Sequence, residues 1–129
     1  MGGHLRRRRL ELRLTQRAAA EKFGVTRDAY AMWEGGSRNL EPSHTRMALE
    51  FLGYDPIPRP AAFSAFVRWA RYRLGLEQAE FARVIDVPLP TLRGWEGRLY
   101  EPPKARKDLL EITIQSLIPI WEAEGKQPY

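Results

Sequence analysis

The sequence predicts an all-α protein made of two tandem helical domains joined by a short proline-rich linker. An internal repeat is the first reason: residues 14–35 align without gaps with residues 76–97, at an offset of 62. Seven of these positions are identical, and both repeats end in Trp-Glu-Gly. Apolar residues recur at helical spacing in each repeat, and three prolines within residues 55–60 exclude a helix there. The repeat therefore predicts two copies of one supersecondary structure.

The first two helices of the first repeat are predicted from an apolar face and from residues that begin and end helices. One face of the first helix contains Leu5, Arg9 and Leu12. Thr15 is suited to cap a second helix over about residues 16–23, because its hydroxyl can accept a backbone hydrogen bond. Gly24 is suited to end that helix in the left-handed conformation.

Two further helices complete the first repeat. Thr26 can cap a third helix that runs to about Glu34, and the two glycines that follow would end it. A fourth helix is predicted over about residues 43–52, with Gly53 at its end. The third helix and its preceding turn then occupy the same place in both repeats.

The second repeat replaces two of these boundary residues with chemically suitable alternatives. Asp86 stands in place of Gly24, and aspartate tolerates the left-handed region better than most residues. Pro88 stands in place of Thr26 and is expected in the first turn of a helix. The last helix is predicted near residues 106–118, before Pro119. The expected organisation is a first domain, a linker and a second domain, at residues 1–55, 56–62 and 63–129.

The charge, the cysteine content and the apolar stretches of the sequence limit the kinds of function that the protein can have. The 129 residues carry a net charge of +5, of which +4 falls in residues 1–59 and +1 in residues 60–129. This asymmetry favours the first half as the part that attracts a polyanion. The chain contains no cysteine, so disulfides and thiolate metal sites are excluded. Because the sequence has no apolar stretch of membrane-spanning length and no signal-peptide pattern, we expect a cytoplasmic protein that does not bind a membrane.

A spaced motif connects both repeats to a known family. The pattern Arg-x6-Gln-x3-Ala-x4-Val-x7-Trp-Glu-Gly occurs at residues 9–35 and again at residues 71–97. It resembles the lambda-repressor-like helix-turn-helix of the Cro/CI or XRE family, and the second repeat is also similar to antitoxin domains. The resemblance implies two tandem helix-turn-helix domains that bind double-stranded DNA. It also implies structural ion pairs, Arg9 with Glu34 and Arg71 with Glu96.

In such a domain the third helix enters the major groove with its N-terminal residues at the base edges. The candidate base-reading residues are Arg27, Asp28, Ala31 and Met32 in the first repeat and Arg93 in the second. Arginine can bind guanine, a carboxylate can accept from cytosine, and apolar groups can contact thymine methyls. The alternative is that Arg27 and Asp28 pair with each other. In the second repeat Leu89, Pro90 and Gly94 occupy the other outward positions, which argues against independent base reading.

Other residues are candidates for the DNA backbone. Gln16 and Gln78 open their second helices, where exposed N–H groups suit a phosphate. The alternative is that glutamine is simply a good helix former. Arg38 and Arg98 follow the third helices, in a loop that skirts the backbone in the family. The four consecutive arginines at residues 6–9 point to different sides of a helix, so at most two can face DNA together.

The same sequence argues against an enzyme. His4 and His44 are far apart, no catalytic or phosphate-loop motif is present, and we expect no metal and no cofactor. The favoured function is sequence-specific DNA binding by a bacterial or phage transcriptional regulator of the repressor type, either as a monomer or as a homodimer. The alternative is an antitoxin-like or adaptor protein. Its second domain would bind a protein partner through Leu89, Pro90, Leu99 and Tyr100.

Overall fold

The computed structural model describes residues 1–119, and the regular secondary structure of that part is entirely α-helical. The prediction of an all-α protein is confirmed. Contacts divide the described residues into two compact units, residues 1–57 and the residues from Pro58 onward. The helices are α1 (Gly2–Glu11), α2 (Gln16–Phe23), α3 (Arg27–Gly35), α4 (Pro42–Leu52), α5 (Phe63–Leu74), α6 (Gln78–Val84), α7 (Leu89–Glu96) and α8 (Lys104–Leu117).

In the first unit α2 and α3 pack together, and α1 packs on both α3 and α4. The small side chain of Ala20 on α2 is buried in the same core as Tyr30 and Trp33 on α3. Because α2 has only a small side chain there, little bulk separates it from α3. The core residues of this unit are Leu5, Ala19, Ala20, Phe23, Tyr30, Trp33, Ala48, Leu52 and Tyr54.

Local hydrogen bonds set the α2–turn–α3 geometry. The Thr15 hydroxyl accepts the Ala18 backbone N–H at 3.0 Å, and the Thr26 hydroxyl accepts that of Ala29 at 3.1 Å. Between the two helices Gly24 has a φ of +67°, a conformation that costs glycine little. Each helix start is therefore fixed by a threonine cap, and the turn is fixed by one left-handed residue.

The expected apolar face of α1 is shorter than predicted. Leu5 is fully buried, but Leu12 is 42% exposed, because α1 ends at Glu11 and Leu12 lies just beyond it. Arg13 then adopts a φ of +56°, and this left-handed residue turns the chain toward α2. The turn directs Leu12 away from the core, which the helical spacing of the sequence does not reveal.

The second unit repeats the packing order of the first. Here α6 and α7 pack together, and α5 packs on both α7 and α8. Asp86 has a φ of +56°, so it takes the left-handed conformation that Gly24 takes in the first unit. The buried hydrophobic core of this unit consists of Phe63, Phe66, Val67, Ala70, Phe81, Ala82, Val87, Leu92, Trp95, Ile114 and Ile118.

Two boundaries in the second unit differ from the sequence prediction. Pro88 is the N-cap of α7 and has an extended backbone, while Pro90 occupies the first turn of that helix. The expectation that Pro88 lies within the first turn is therefore wrong by one position. The last helix begins at Lys104, two residues before the predicted start, and ends at Leu117. None of the helices within residues 1–119 is long and apolar enough to cross a membrane.

Part of the proline-rich stretch is attached to the second unit. The Arg59 guanidinium donates a 2.7 Å hydrogen bond from Nη1 to Oε1 of Gln115 on α8. The same group lies 4.1 Å from the ring centroid of Phe66 on α5, a cation–π distance. Arg59 therefore connects the start of the second unit to both α5 and α8.

Candidate nucleic-acid interface

A buried ion pair holds the end of α3 against α1. Arg9 Nε donates to Glu34 Oε2 at 2.7 Å, and Arg9 Nη2 donates to Oε1 at 3.1 Å. The side chains are only 11% and 5% exposed. Arg9 Nη1 also donates to the Leu14 carbonyl oxygen at 2.9 Å. The bidentate pair holds the end of α3 against α1, and the additional bond to Leu14 holds the backbone that leads into α2.

Gln16 belongs to the same network. Its Nε2 donates to Glu34 Oε1 at 3.3 Å, so the first residue of α2 is connected to the end of α3. Burial alone would raise the pKa of Glu34, but the Arg9 guanidinium, the Tyr30 hydroxyl and the Gln16 amide together hold that pKa below its ordinary value. The Glu34 carboxylate therefore stays ionised near neutral pH and orients three elements around it.

The outer face of α3 is open at its N-terminal end. Arg27 and Asp28 are exposed, with side-chain exposures of 55% and 82%, and their side chains approach within 3.3 Å. Met32 is 47% exposed one turn further on, and Ala31 is half-buried. The helix thus presents a donor, an acceptor and an apolar group on one accessible surface.

The arginine run of α1 is largely used for contacts within the first unit. Arg7 Nη2 donates to the Tyr54 hydroxyl at 2.7 Å, and Arg8 Nε donates to the Phe51 carbonyl oxygen at 3.1 Å. With Arg9 paired to Glu34, the run contributes mainly to the packing of α1. Arg38, in the loop after α3, is exposed.

The second unit contains the same buried network. Arg71 donates to both oxygens of Glu96 at 2.9 Å, and its Nη1 donates to the Leu76 carbonyl oxygen at 3.1 Å. Gln78 Nε2 donates to Glu96 Oε1 at 3.4 Å. The geometry that orients the third helix is therefore repeated, residue for residue, at the offset of the sequence repeat.

The outer face of α7 differs from that of α3. Leu89 is half-buried and packs against the core of the second unit, so its assignment as an outward position is wrong. Gly94 is buried as well, because the Tyr100 ring lies directly on it: a methyl group there would come within 2.6 Å of Tyr100 Cε1. Of the positions assigned to this face, Pro90 and Arg93 remain exposed.

Tyr100, which the sequence suggested as part of a protein-binding surface, also covers Gly94, and that contact was not predicted. Its hydroxyl donates to the Pro90 carbonyl oxygen at 3.2 Å, so the side chain runs along the outer surface of α7. Two sequence features could have indicated this position: the loop after α7 is two residues shorter than its counterpart, and Gly94 replaces the bulkier Met32. Arg98 and Leu99, in the same loop, are exposed, and Arg98 has a φ of +59°.

No group of three or more His, Cys, Asp or Glu side chains within residues 1–119 is arranged to hold a metal ion. His4 and His44, which the sequence analysis placed far apart, contact Tyr54 and Trp33 respectively.

Comparison with protein families identifies the first unit. Residues 1–62 match the family model of a helix-turn-helix domain. The first unit is a helix-turn-helix domain. Domains of this kind bind DNA, and the family is associated with transcription regulation. The match ends immediately before α5, and comparison with curated proteins and with solved structures gave no match.

Proposed function

We propose that the first unit binds double-stranded DNA in a sequence-specific manner and that the protein is a transcriptional regulator of the repressor type. The supporting observation is the contrast between the two faces of α3. Its inner face is fixed by the buried Arg9–Glu34 pair, while Arg27 and Asp28 stand exposed at its N-terminal end. A rigid helix with accessible hydrogen-bonding groups at that end matches the docking geometry of a recognition helix.

The exposed residues of α3 can distinguish base pairs. The Arg27 guanidinium can donate two hydrogen bonds to guanine O6 and N7, and the Asp28 carboxylate can accept one from cytosine N4. Their mutual contact is an exposed ion pair, which is worth little in water and costs little to exchange for base contacts. Met32 and Ala31 supply apolar surface for thymine methyl groups.

Backbone contacts would set the position of this helix on the duplex. Gln16 lies at the N-terminus of α2, where unpaired backbone N–H groups favour a phosphate. Its amide is already held by Glu34, so a phosphate contact there would be oriented by the same network as α3. Exposed Arg38 follows α3 and can reach the sugar-phosphate backbone.

The second unit is proposed to be a separate domain that positions the protein or binds a partner rather than reading bases. Tyr100 covers Gly94 and its hydroxyl donates to the Pro90 carbonyl oxygen, so part of the outer face of α7 is covered by the chain itself. Arg98 could still contact a phosphate, as could Gln78. The exposed apolar groups Pro90, Leu99 and Tyr100 favour a protein partner as the second candidate function, in an adaptor or antitoxin-like role.

Binding to duplex DNA as a function of salt tests the proposal. A labelled duplex selected from a random pool is titrated by fluorescence anisotropy between 50 and 200 mM salt. Neutralising about five phosphates predicts a slope of log K against log salt of roughly −4 to −5. Arg38→Ala should reduce the magnitude of that slope by about 1 without changing the selected sequence. A pool with no enriched sequence, or binding that is insensitive to salt, would refute the proposal.

A further inference from the structure

The hydroxyl of Tyr30 is a buried polar group that forms no hydrogen bond. Tyr30 lies on the inner face of α3 and is completely buried in the core of the first unit. Within residues 1–119 no group stands at hydrogen-bonding distance and angle from its hydroxyl oxygen. A buried hydroxyl without a partner costs free energy, so native proteins rarely keep one unless it has a role.

This hydroxyl lies beside the buried pair of Arg9 and Glu34. Burial and the neighbouring Glu34 carboxylate both raise the pKa of Tyr30, so the hydroxyl keeps its proton near neutral pH and can donate it to a hydrogen bond. The pKa of Glu34 is raised by burial and lowered first by Arg9 and then by Tyr30. A small shift of the Tyr30 ring or of the carboxylate would therefore create a hydrogen bond between them.

Gln16 at present occupies the place on Glu34 that Tyr30 could take. Glu34 Oε1 accepts from Arg9 Nη2 at 3.1 Å and from Gln16 Nε2 at 3.3 Å, while Oε2 accepts from Arg9 Nε at 2.7 Å. The bond from Gln16 is the longest of the three. Gln16 is also the first residue of α2, where the proposed function places a DNA phosphate. The phosphate and Glu34 are therefore competing acceptors for the same amide.

We propose that Tyr30 is a positioning residue for DNA binding, whose hydroxyl replaces the Gln16 amide on Glu34 when that amide binds a DNA phosphate. The inference rests on the proposed function, because it requires a phosphate at the start of α2. With this exchange Glu34 Oε1 keeps two donors throughout, so Gln16 is released without leaving the buried carboxylate short of a hydrogen bond. The complex also gives the Tyr30 hydroxyl the partner that it lacks in the free protein.

The second unit contains no donor that could make this exchange from the same position. At the repeat offset of 62, Tyr30 aligns with Leu92, which is equally buried but has no polar group in its side chain. Gln78 donates to Glu96 as in the first unit, so its release would leave the Glu96 carboxylate one hydrogen bond short. The exchange is therefore specific to the first unit, in agreement with the proposed role of that unit in reading DNA.

Thermal unfolding without DNA tests whether the two donors compete for Glu34. Tyr30→Phe removes only the hydroxyl, so it should leave the melting temperature of the wild type unchanged or raise it. In Gln16→Ala the hydroxyl should already bond to Glu34, and adding Tyr30→Phe should then lower the melting temperature by roughly 4–8 °C. Tyr54→Phe is the matched control: its hydroxyl accepts from Arg7 in the free protein, so its loss should be equally destabilising in both backgrounds. The same effect of Tyr30→Phe in both backgrounds would overturn the proposal.

Fluorescence anisotropy with the selected duplex tests the exchange in the complex. Tyr30→Phe should weaken duplex binding by at least about tenfold, the scale of one hydrogen bond to a charged group. In Gln16→Ala there is no amide to release, so the same substitution should not weaken binding any further. Unchanged affinity of Tyr30→Phe, or an equal loss in both backgrounds, would contradict the exchange.

The two experiments separate failure of the exchange from failure of the proposed function. If the wild-type chain binds no duplex, the proposed function fails. If the wild-type chain binds the duplex but Tyr30→Phe acts identically with and without Gln16, only the exchange fails.

Discussion

Removing the Glu34 carboxylate should destabilise the first unit strongly. In Glu34→Ala, Arg9 loses both carboxylate hydrogen bonds and keeps the one to the Leu14 carbonyl oxygen, while Gln16 loses its acceptor. The guanidinium would then be an unpaired charge in a position where its side chain is only 11% exposed. Such a charge must either stay buried without a counterion or move outward and disrupt the contact between α1 and α3.

The magnitude follows from the burial of the pair. Breaking a fully buried pair by removing one partner costs about 3–5 kcal/mol, and a residual exposure near one tenth reduces this to about 2–4 kcal/mol. For a domain of this size, each 1 kcal/mol lowers the melting temperature by roughly 4–8 °C. The unfolding transition of the first unit should therefore fall by roughly 10 °C or more.

Thermal unfolding followed by circular dichroism and calorimetry measures this effect. Glu50→Ala is the matched control, because Glu50 forms an exposed pair with Arg46 on α4 and its loss should change stability by less than about 0.5 kcal/mol. Glu96→Ala should reproduce the Glu34→Ala loss in the second unit, where the pair has the same geometry. Equal effects of Glu34→Ala and Glu50→Ala would show that burial does not govern the energy of the pair.

Two further predictions concern the same unit. The pKa of Glu34 in the folded protein is held below its ordinary value of 4.5. The difference in unfolding free energy between wild type and Glu34→Ala should therefore be complete above pH 4.5 and shrink as the pH falls through the folded-state pKa. A difference that stays constant from about pH 7 to about pH 2 would refute this. A methyl group added at Gly2 would clash with the Trp33 carbonyl oxygen and lie 2.7 Å from the Glu34 carbonyl oxygen. A methyl group added at Gly3 would have no atom within 4 Å. Chemical denaturation should therefore show that Gly2→Ala destabilises by about 1–3 kcal/mol, while Gly3→Ala raises stability by up to about 1 kcal/mol, and similar effects of both would contradict this reasoning.

Features that depend on local chemistry were predictable from the sequence. Thr15 and Thr26 cap α2 and α3, and Gly24 and Asp86 take left-handed conformations, because each effect involves only a few neighbouring residues. The family resemblance implied which charged residues pair. The structure places Arg9 against Glu34 at hydrogen-bonding distance.

Features that depend on how loops return to a helix were not predictable in the same way. Whether Gly94 faces solvent is decided by Tyr100, six residues later, and by the length of the loop that carries it. Leu89 likewise occupies an outward position by repeat alignment, yet it packs on the core of its own unit. The roles of Arg27 and Arg93 in reading bases remain predictions, since they depend on a partner.

Site selection from a random duplex library distinguishes the roles proposed for the two units, because Arg27 and Arg93 are exposed arginines on α3 and α7 respectively. The wild-type chain, Arg27→Ala and Arg93→Ala are each taken through the same selection. Arg27→Ala should lose preference at one or two base pairs and bind the wild-type site about 1–3 kcal/mol more weakly. Arg93→Ala should recover the wild-type motif. If Arg93→Ala erases half of the motif while Arg27→Ala preserves it, α7 reads DNA and the assignment of roles is wrong.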